Sequence, residues 1–449
     1  MAWTDRVDVV AVPRIVIVGG GYVGTYAALR LERALRPGEA NVTLIDPQSY
    51  MTYQPFLPEA AAGNLEPRHV VVPLRRVLRR TRILNGRVTA VQHANRRLTF
   101  APHVGPAAEL EYDILVMSVG SIARTLPIPG LAEVGIGFKT VGEAIFLRNH
   151  VLAQLDIAAS TDDAALRRRA LTFVFVGGGY AGVEALAELE DMARDACRSY
   201  PNVSPADMRW ILVEATDRIL PEVSRELGAY TIAELRRRGI EVRLQTRLES
   251  AVDRHIVLSD GEEFDADTLV WTAGVRAHPL ITHTDLPRDE KDRLRATASL
   301  RVEGVDDAWT AGDCAAVPDL TKPQPALCGP SAQHAVRQGK LLGDNIVASL
   351  RGRPVRDYRH AYAGSVASLG LHKGVAQIYG VTMRGFPAWF VHRTYHLSRI
   401  PTFNRKVRVV ADWTLALFFP REIVSLGALQ RPREEFEQAA RPTAAAWPS

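Results

Sequence analysis

The stretch 171–189, LTFVFVGGGYAGVEALAEL, constrains what this chain can fold into more than any other. Leu171–Val176 is an unbroken apolar and β-branched run, the pattern of a strand covered on both faces. It leads straight into Gly177-Gly178-Gly179-Tyr180-Ala181-Gly182, which fits G-x-G-x-x-G. In that pattern Gly177 allows the tight turn, Gly179 lets backbone approach a pyrophosphate, and Gly182 lets helix pack on strand. The residues from Val183 onward favour a helix whose N-terminal N–H groups would face phosphates. Glu184 is placed in the first turn of that helix. There it complements the positive helix end and is also able to meet the polar edge of a ligand.

The stretch has a twin near the N-terminus. Pro13–Val18 reads as a short apolar strand, Gly19-Gly20-Gly21-Tyr22-Val23-Gly24 repeats the glycine pattern, and Thr25–Arg36 reads as its helix. Asn41–Ile45 is the next strand and ends on Asp46, 22 positions after Gly24. That is close to the spacing of about 20 expected for a carboxylate on the adenosine ribose. In the second unit the matching strand is Trp210–Val213, ending on Glu214, 32 positions after Gly182; the loop Ser199–Pro205 accounts for the excess. Glu214 would accept from a ribose 2′-hydroxyl and repel a 2′-phosphate, which favours NADH over NADPH. Two dinucleotide units 158 residues apart suggest two different dinucleotides, and the simplest chemistry joining them is hydride transfer from a nicotinamide to a flavin. The first unit would hold FAD and the second NADH.

The rest of the chain supplies further elements. Gln48–Pro58 reads as an aromatic, proline-bearing loop, and Val70–Arg80 as a helix with an exposed basic face. Arg82–Phe100 alternates like strand, with Gly86 and Asn95-Arg96 as turns. Tyr112–Val119 is a buried strand ending on Gly120. The helix Val141–Ile157 follows, then β structure over Glu241–Leu258. Strands Thr268–Ala273 and Asp307–Ala311 close on Gly274 and on Gly312-Asp313. Ser331–Leu350 reads as a helix, Gly364–Gly370 and Val375–Ile378 as strands, and the chain beyond Pro432 as a frayed tail.

The fold class expected is α/β: two Rossmann-like dinucleotide-binding domains, the second nested in the first, plus a C-terminal α+β region for membrane association or dimerisation. The boundaries expected are 1–125 and 268–350 for the FAD domain, 126–267 for the NADH domain and 351–449 for the C-terminal region. A chain of 449 residues, 47% apolar and 23% charged, is long enough for two or three cores. The net charge of +5 comes with scattered arginines and no basic tract of the nucleic-acid-binding kind. Cys197, Cys314 and Cys328 form no C-x-x-C pair, which argues against a disulfide scaffold, a metal site or a redox dithiol, and for a reducing compartment. The first residues lack the order of a signal peptide, and no apolar run reaches the ~18 residues of a membrane span.

The segments IVIVGGGYVG, YDILVMSVGS, FVFVGGGYAGVE, VWTAGVRAHPL, AWTAGDCAAV and SAQHAVRQG, with the aromatic and basic C-terminal region, together resemble type II NADH:quinone oxidoreductases, within the two-dinucleotide flavoproteins. The resemblance implies an FAD-dependent NADH dehydrogenase that reduces a membrane quinone without pumping protons, peripheral on the cytoplasmic membrane face and homodimeric. It places Asp313 on the FAD ribityl chain, with Gly312 and Ala332 nearby, and Gln333 beside the isoalloxazine and the quinone. It places Glu184 between nicotinamide and flavin, as a proton donor or quinone contact, and Ala273 and Gly274 as backbone near the nicotinamide. Two departures stand out. Ala363 lies where many family members carry a lysine before the glycine of Gly364-Ser365-Val366, and Ser118-Val119-Gly120 replaces the commoner alanine–threonine–glycine. The first leaves a second reading open: a soluble NAD(P)H-dependent flavin reductase for another acceptor, such as a redox protein, oxygen or a specialised metabolite.

A quinone reductase must reach the bilayer. Trp389, Phe390, Tyr395, Leu397, Ile400, Phe403, Trp413, Leu415, Leu417, Phe418 and Phe419 offer apolar bulk, and Arg393, Arg399, Arg405, Lys406, Arg408 and Arg421 offer cations for anionic head groups. A dimer interface or a packed core helix would use the same composition.

Overall fold

A computed structural model describes residues 12–323, 325–360, 364–426 and 432–439. The chain divides into two compact units, one of 1–53, 71–124 and 275–363, the other of 54–70, 125–274 and 364–449.

The first unit is built on a seven-stranded sheet. Its order is Ala308–Thr310, Ile114–Met117, Arg14–Val18, Asn41–Asp46, Arg82–Gln92, Arg97–Pro102, Ala108–Glu111. The first five strands are parallel and the last two antiparallel. Ile15, Ile17, Leu44 and Val116 are fully buried, as strands covered by helices on both faces must be. Tyr22–Ala34 and Ala332–Leu350 pack closely enough that a Cβ on Gly339 would stand 2.7 Å from the Val23 carbonyl oxygen.

The second unit repeats the plan with five parallel strands, in the order Gly135–Gly137, Thr268–Trp271, Thr172–Val176, Arg209–Val213, Glu241–Arg243. Phe173 stacks on Trp210 with ring centroids 4.2 Å apart, and such a pair is worth about 1 kcal/mol beyond the area it buries. The strands Gly364–Ser368, Gly374–Ile378 and Val381–Arg384 form an antiparallel sheet carrying the helix Phe386–Arg399. The helix Phe403–Leu415 follows it.

Several expectations need correcting. Thr268–Trp271 pairs with Thr172–Val176 and belongs to the second unit, so the return to the first begins at Val275, not at residue 268. The C-terminal strands and helices join the second unit instead of standing as a separate region, and so do 54–70. Gln48–Pro58 is not a plain loop: it holds a short strand, Tyr50–Thr52, and leads into the helix Leu57–Ala61. The basic helix expected over Val70–Arg80 shrinks to one turn, Leu74–Val77, because Val71–Pro73 pairs as a strand with Tyr50–Thr52. Gly86 is no turn. It lies inside a strand opposite Pro102, where a Cβ would stand 2.5 Å from the Ala101 carbonyl oxygen. Within the expected tail, Glu434–Ala439 is a short helix, whereas 440–449 lie outside the described residues, as does Ala363.

Candidate functional site

In the first unit the chain leaves Val18 and turns at Gly19, whose φ is +103°, and Gly21 is the N-cap of the helix. A Cβ on Gly19 would lie 2.4 Å from the Ser118 carbonyl oxygen, and one on Gly24 would lie 1.8 Å from that of Gly19. Only hydrogen fits at either point. Gly21 differs: a Cβ there meets no atom within 4 Å, so its backbone is approachable. Asp46, at the end of the neighbouring strand, accepts from the Gly20 N–H at 2.6 Å and from the Gln48 N–H at 2.6 Å. Burial pushes its carboxyl above the usual range, and those two bonds oppose the shift. On the other side of the turn, Ser118 Oγ donates to the carbonyls of Val18 and Gly19 at 2.9 and 3.0 Å.

The second unit repeats each of these contacts. Gly177 turns at φ +116°, a Cβ on Gly182 would lie 2.0 Å from the Gly177 carbonyl oxygen, and one on Gly179 meets nothing within 4 Å. Glu214 accepts from the Gly178 N–H at 2.6 Å and from the Thr216 N–H at 2.8 Å. Thr272 Oγ1 donates to the carbonyls of Val176 and Gly177 at 2.9 and 3.2 Å. Each cradle is thus held between an acid-ended strand and a strand ending in a hydroxyl residue. Sequence reading missed the hydroxyl pair. Laying VMSVG over VWTAG sets Ser118 on Thr272 and Gly120 on Gly274, and both glycines have positive φ, +66° and +91°. Ala273 lies between Thr272 and Gly274 in that turn.

Gly312 turns at φ +74°, and a Cβ on it would press on Val23 Cγ2 at 2.7 Å, so the Gly312-Asp313 turn sits against the helix that follows the first cradle. The Asp313 carboxylate accepts from Ser121 Oγ at 2.6 Å. The Gly312 N–H donates to Oε1 of the buried Gln338 at 2.8 Å, a residue the sequence did not single out. Ser331 caps the next helix by accepting from the Gln333 N–H at 3.1 Å, which sets Ala332 and Gln333 in its first turn. The first unit therefore holds Gly19, Gly21, Gly24, Asp46, Gly120, Gly312, Asp313, Ala332 and Gln333. The second holds Gly177, Gly179, Gly182, Glu184, Glu214, Ala273 and Gly274.

Glu184 is not in the first turn. It is the fifth residue of Tyr180–Ala196 and is buried. Its Oε1 accepts from the Ser368 N–H at 2.8 Å and lies 3.2 Å from His392 Nε2. Neither partner was foreseen, since both come from the C-terminal segment, far from Glu184 in sequence.

All three cysteines are buried and unpaired, and burial pushes their thiols up, Cys328 to about 11. A thiolate nucleophile is disfavoured at each. No group of three or more His, Cys, Asp or Glu among the described residues is arranged to hold a metal.

The open backbones at Gly21 and Gly179, each beside helix N–H groups without intrahelical partners, fit a pyrophosphate at both cradles. Fold and site define a protein with two dinucleotide cradles. The chain belongs to the pyridine nucleotide-disulphide oxidoreductase family, whose model matches residues 13–339. It is 28% identical to a probable NADH dehydrogenase of Dictyostelium discoideum, over 94% of this chain and 93% of that one. It is 27% identical to the type II NADH:quinone oxidoreductase Ndh of Mycobacterium tuberculosis, over 91% and 89%. Among solved structures, NDH2 from Plasmodium falciparum in complex with NADH superposes with a TM-score of 0.85 at 18% identity, covering 92% of this chain and 99% of that one.

Proposed function

We propose that this chain is an FAD-dependent NADH:quinone oxidoreductase that carries two electrons from NADH to a membrane quinone without pumping protons. The observation that carries the reading is the duplicated cradle. Each has a first and a last glycine that leave no room for a Cβ, a hydroxyl clamp from Ser118 or Thr272, and a carboxylate, Asp46 or Glu214, on the middle glycine. The names of the relatives at 27–28% identity support the substrates.

In the first unit Gly19–Gly24, Asp46 and Asp313 would hold FAD. A carboxylate offers about four lone-pair sites, so Asp46, with two N–H donors, keeps capacity for a ribose diol. Bound there, a flavin supplies an oxidant that takes two electrons from a reduced nicotinamide and releases them to an acceptor. In the second unit Gly177–Gly182 would bind the pyrophosphate of NADH, and Glu214 would accept from its ribose hydroxyl. The Gln333 amide would donate to a quinone carbonyl without a change of charge, and Glu184 would deliver a proton. The buried, unpaired cysteines leave the disulphide chemistry of the family name without a dithiol here.

No helix among the described residues is long and apolar enough to cross a membrane. Contact with the bilayer falls to the surface of the C-terminal helices. Phe390, Phe403, Leu415, Leu417, Phe418 and Phe419 are exposed, as are the cations Arg399 and Arg408. Trp389, Ile400 and Arg393 drop out of the interfacial set, because they are buried in the second unit, and Trp413 turns inward to donate to Glu59 at 2.8 Å. A peripheral position on the cytoplasmic membrane face and a homodimer complete the reading.

The test is direct. Purified protein is expected to be yellow, NADH to bleach it, and short-chain quinones to restore the colour. Protein that copurifies with no flavin and takes none up overturns the reading, and bleached protein reoxidised by a redox protein or oxygen but by no quinone moves the acceptor away from quinones.

A further inference from the structure

The helix Tyr180–Ala196 carries a second acid one turn beyond Glu184. Glu188 is fully buried and, at four residues' distance, shares a helix face with Glu184. One residue of the adjoining strand touches both. The Ser368 N–H donates to Glu184 Oε1 at 2.8 Å, and its Oγ donates to Glu188 Oε1 at 2.6 Å. The other Glu188 oxygen accepts from Asn64 Nδ2 at 3.0 Å. Every direct partner of Glu188 named here is neutral. The largest charge effects on it come from Glu59 of the helix Leu57–Ala61, Arg421 of the segment after the last long helix, and Asp191 on its own helix. Glu59 is already engaged by Arg393 NH2 and Trp413 Nε1, both at 2.8 Å, and Asp191 by Arg238 and the Leu371 N–H. Glu184 is faced by Ser368 and, from the helix Phe386–Arg399, by His392. Burial first, then the Glu59 charge, push the Glu188 carboxyl up to about 7. Ser368 is thus a donor common to both carboxyls, through its backbone N–H to one and its hydroxyl to the other.

We propose that Glu188 is a positioning residue for the acceptor chemistry: through Ser368 and across one helical turn, its charge sets how firmly Glu184 holds its proton. The inference rests on the reading of Glu184 as a proton donor in quinone reduction. In NADH + H⁺ + quinone → NAD⁺ + quinol, the hydride brings two electrons and one hydrogen. The second hydrogen is a proton, which Glu184 releases to the quinone oxygen and regains from water. A charged Glu188 makes that release harder, and a protonated one makes it easier.

The readout independent of turnover is infrared titration of protonated carboxyls in the purified holoprotein. Glu184→Gln identifies the Glu184 band and Glu188→Gln the Glu188 band, each by its loss. In Glu188→Gln, where Ser368 keeps an acceptor, the Glu184 band is expected to move to lower pH than in the unaltered protein. Ser368→Ala keeps the backbone bond to Glu184 but removes a bond that favours charged Glu188, so the Glu188 band should persist to higher pH. The alkaline limb of quinone reduction should move with the Glu184 band. A Glu184 band that titrates at the same pH with and without Glu188 overturns the inference. If the band shifts in a protein that reduces no quinone, the coupling stands and the functional reading alone fails.

Discussion

At the scale of single residues, Asp46 and Glu214 each fasten a turn, and the proposed function gives each a second task at a ribose. Each ties a glycine turn to the next strand through a backbone N–H at 2.6 Å and leaves oxygen lone pairs for a ligand. Glu214→Ala is expected to raise the KM for NADH by about 10- to 100-fold, the cost of one or two charge-assisted bonds, with a smaller change in kcat. Because the lost carboxylate also repels a 2′-phosphate, the gap between NADH and NADPH should narrow in the same assay. Both acids were legible from their spacing after the glycines. Ser368 and His392 were not, because no local pattern tells which distant side chain will fill the space beside a buried glutamate. Glu188 sits in the same seven letters as Glu184, VEALAEL, yet sequence alone reads it as an ordinary helical acid. Its meaning comes from the burial of the helix on the side where both carboxyls point.

At the scale of elements, the strand–glycine–helix units give the sharpest separation of roles. Gly24→Ala and Gly182→Ala both drive a methyl group into a carbonyl oxygen, at 1.8 and 2.0 Å, and so force the helix away from the turn. Gly24→Ala should give protein with little or no bound flavin, seen as loss of visible absorbance per chain. Gly182→Ala should stay yellow but need far more NADH to bleach. The reverse pattern would exchange the assignments of the two cradles. The C-terminal helices act differently. Phe403–Leu415 buries Val409 and turns Val407 and Val410 outward, and Leu417, Phe418 and Phe419 continue the exposed apolar surface. Replacing Phe418 and Phe419 together by serine is expected to weaken cosedimentation with anionic lipid vesicles several-fold, and added salt should weaken it further by screening Arg399 and Arg408. Unchanged cosedimentation would take this surface out of the membrane reading. The composition of these helices was visible in the sequence. Which aromatics face inward was not, since Trp389 and Trp413 are set against Arg393, at 4.2 and 4.7 Å from its guanidinium, and not against solvent.

At the scale of the whole molecule, the chain builds two units in alternation, leaving the first after 53 and again after 124 and returning to it at 71 and 275. A parallel strand needs a crossover before its neighbour can be laid down, so a sheet can wait for a strand that arrives late in sequence. Ala308–Thr310 completes the first sheet nearly three hundred residues after Arg14–Val18 began it. The sequence alone determined the two strand–glycine–helix units and the acids that follow them, because their geometry is local: a turn that tolerates only hydrogen, a helix end with free N–H groups, and a fixed count to the next strand end. Tertiary structure alone decided that 54–70 and the C-terminal segment join the second unit, that Thr268–Trp271 pairs there, and that Glu184 and Glu188 lie against Ser368. Those outcomes depend on which apolar faces find one another over hundreds of residues, and burial of that kind is a sum over the whole fold that no short window of sequence contains.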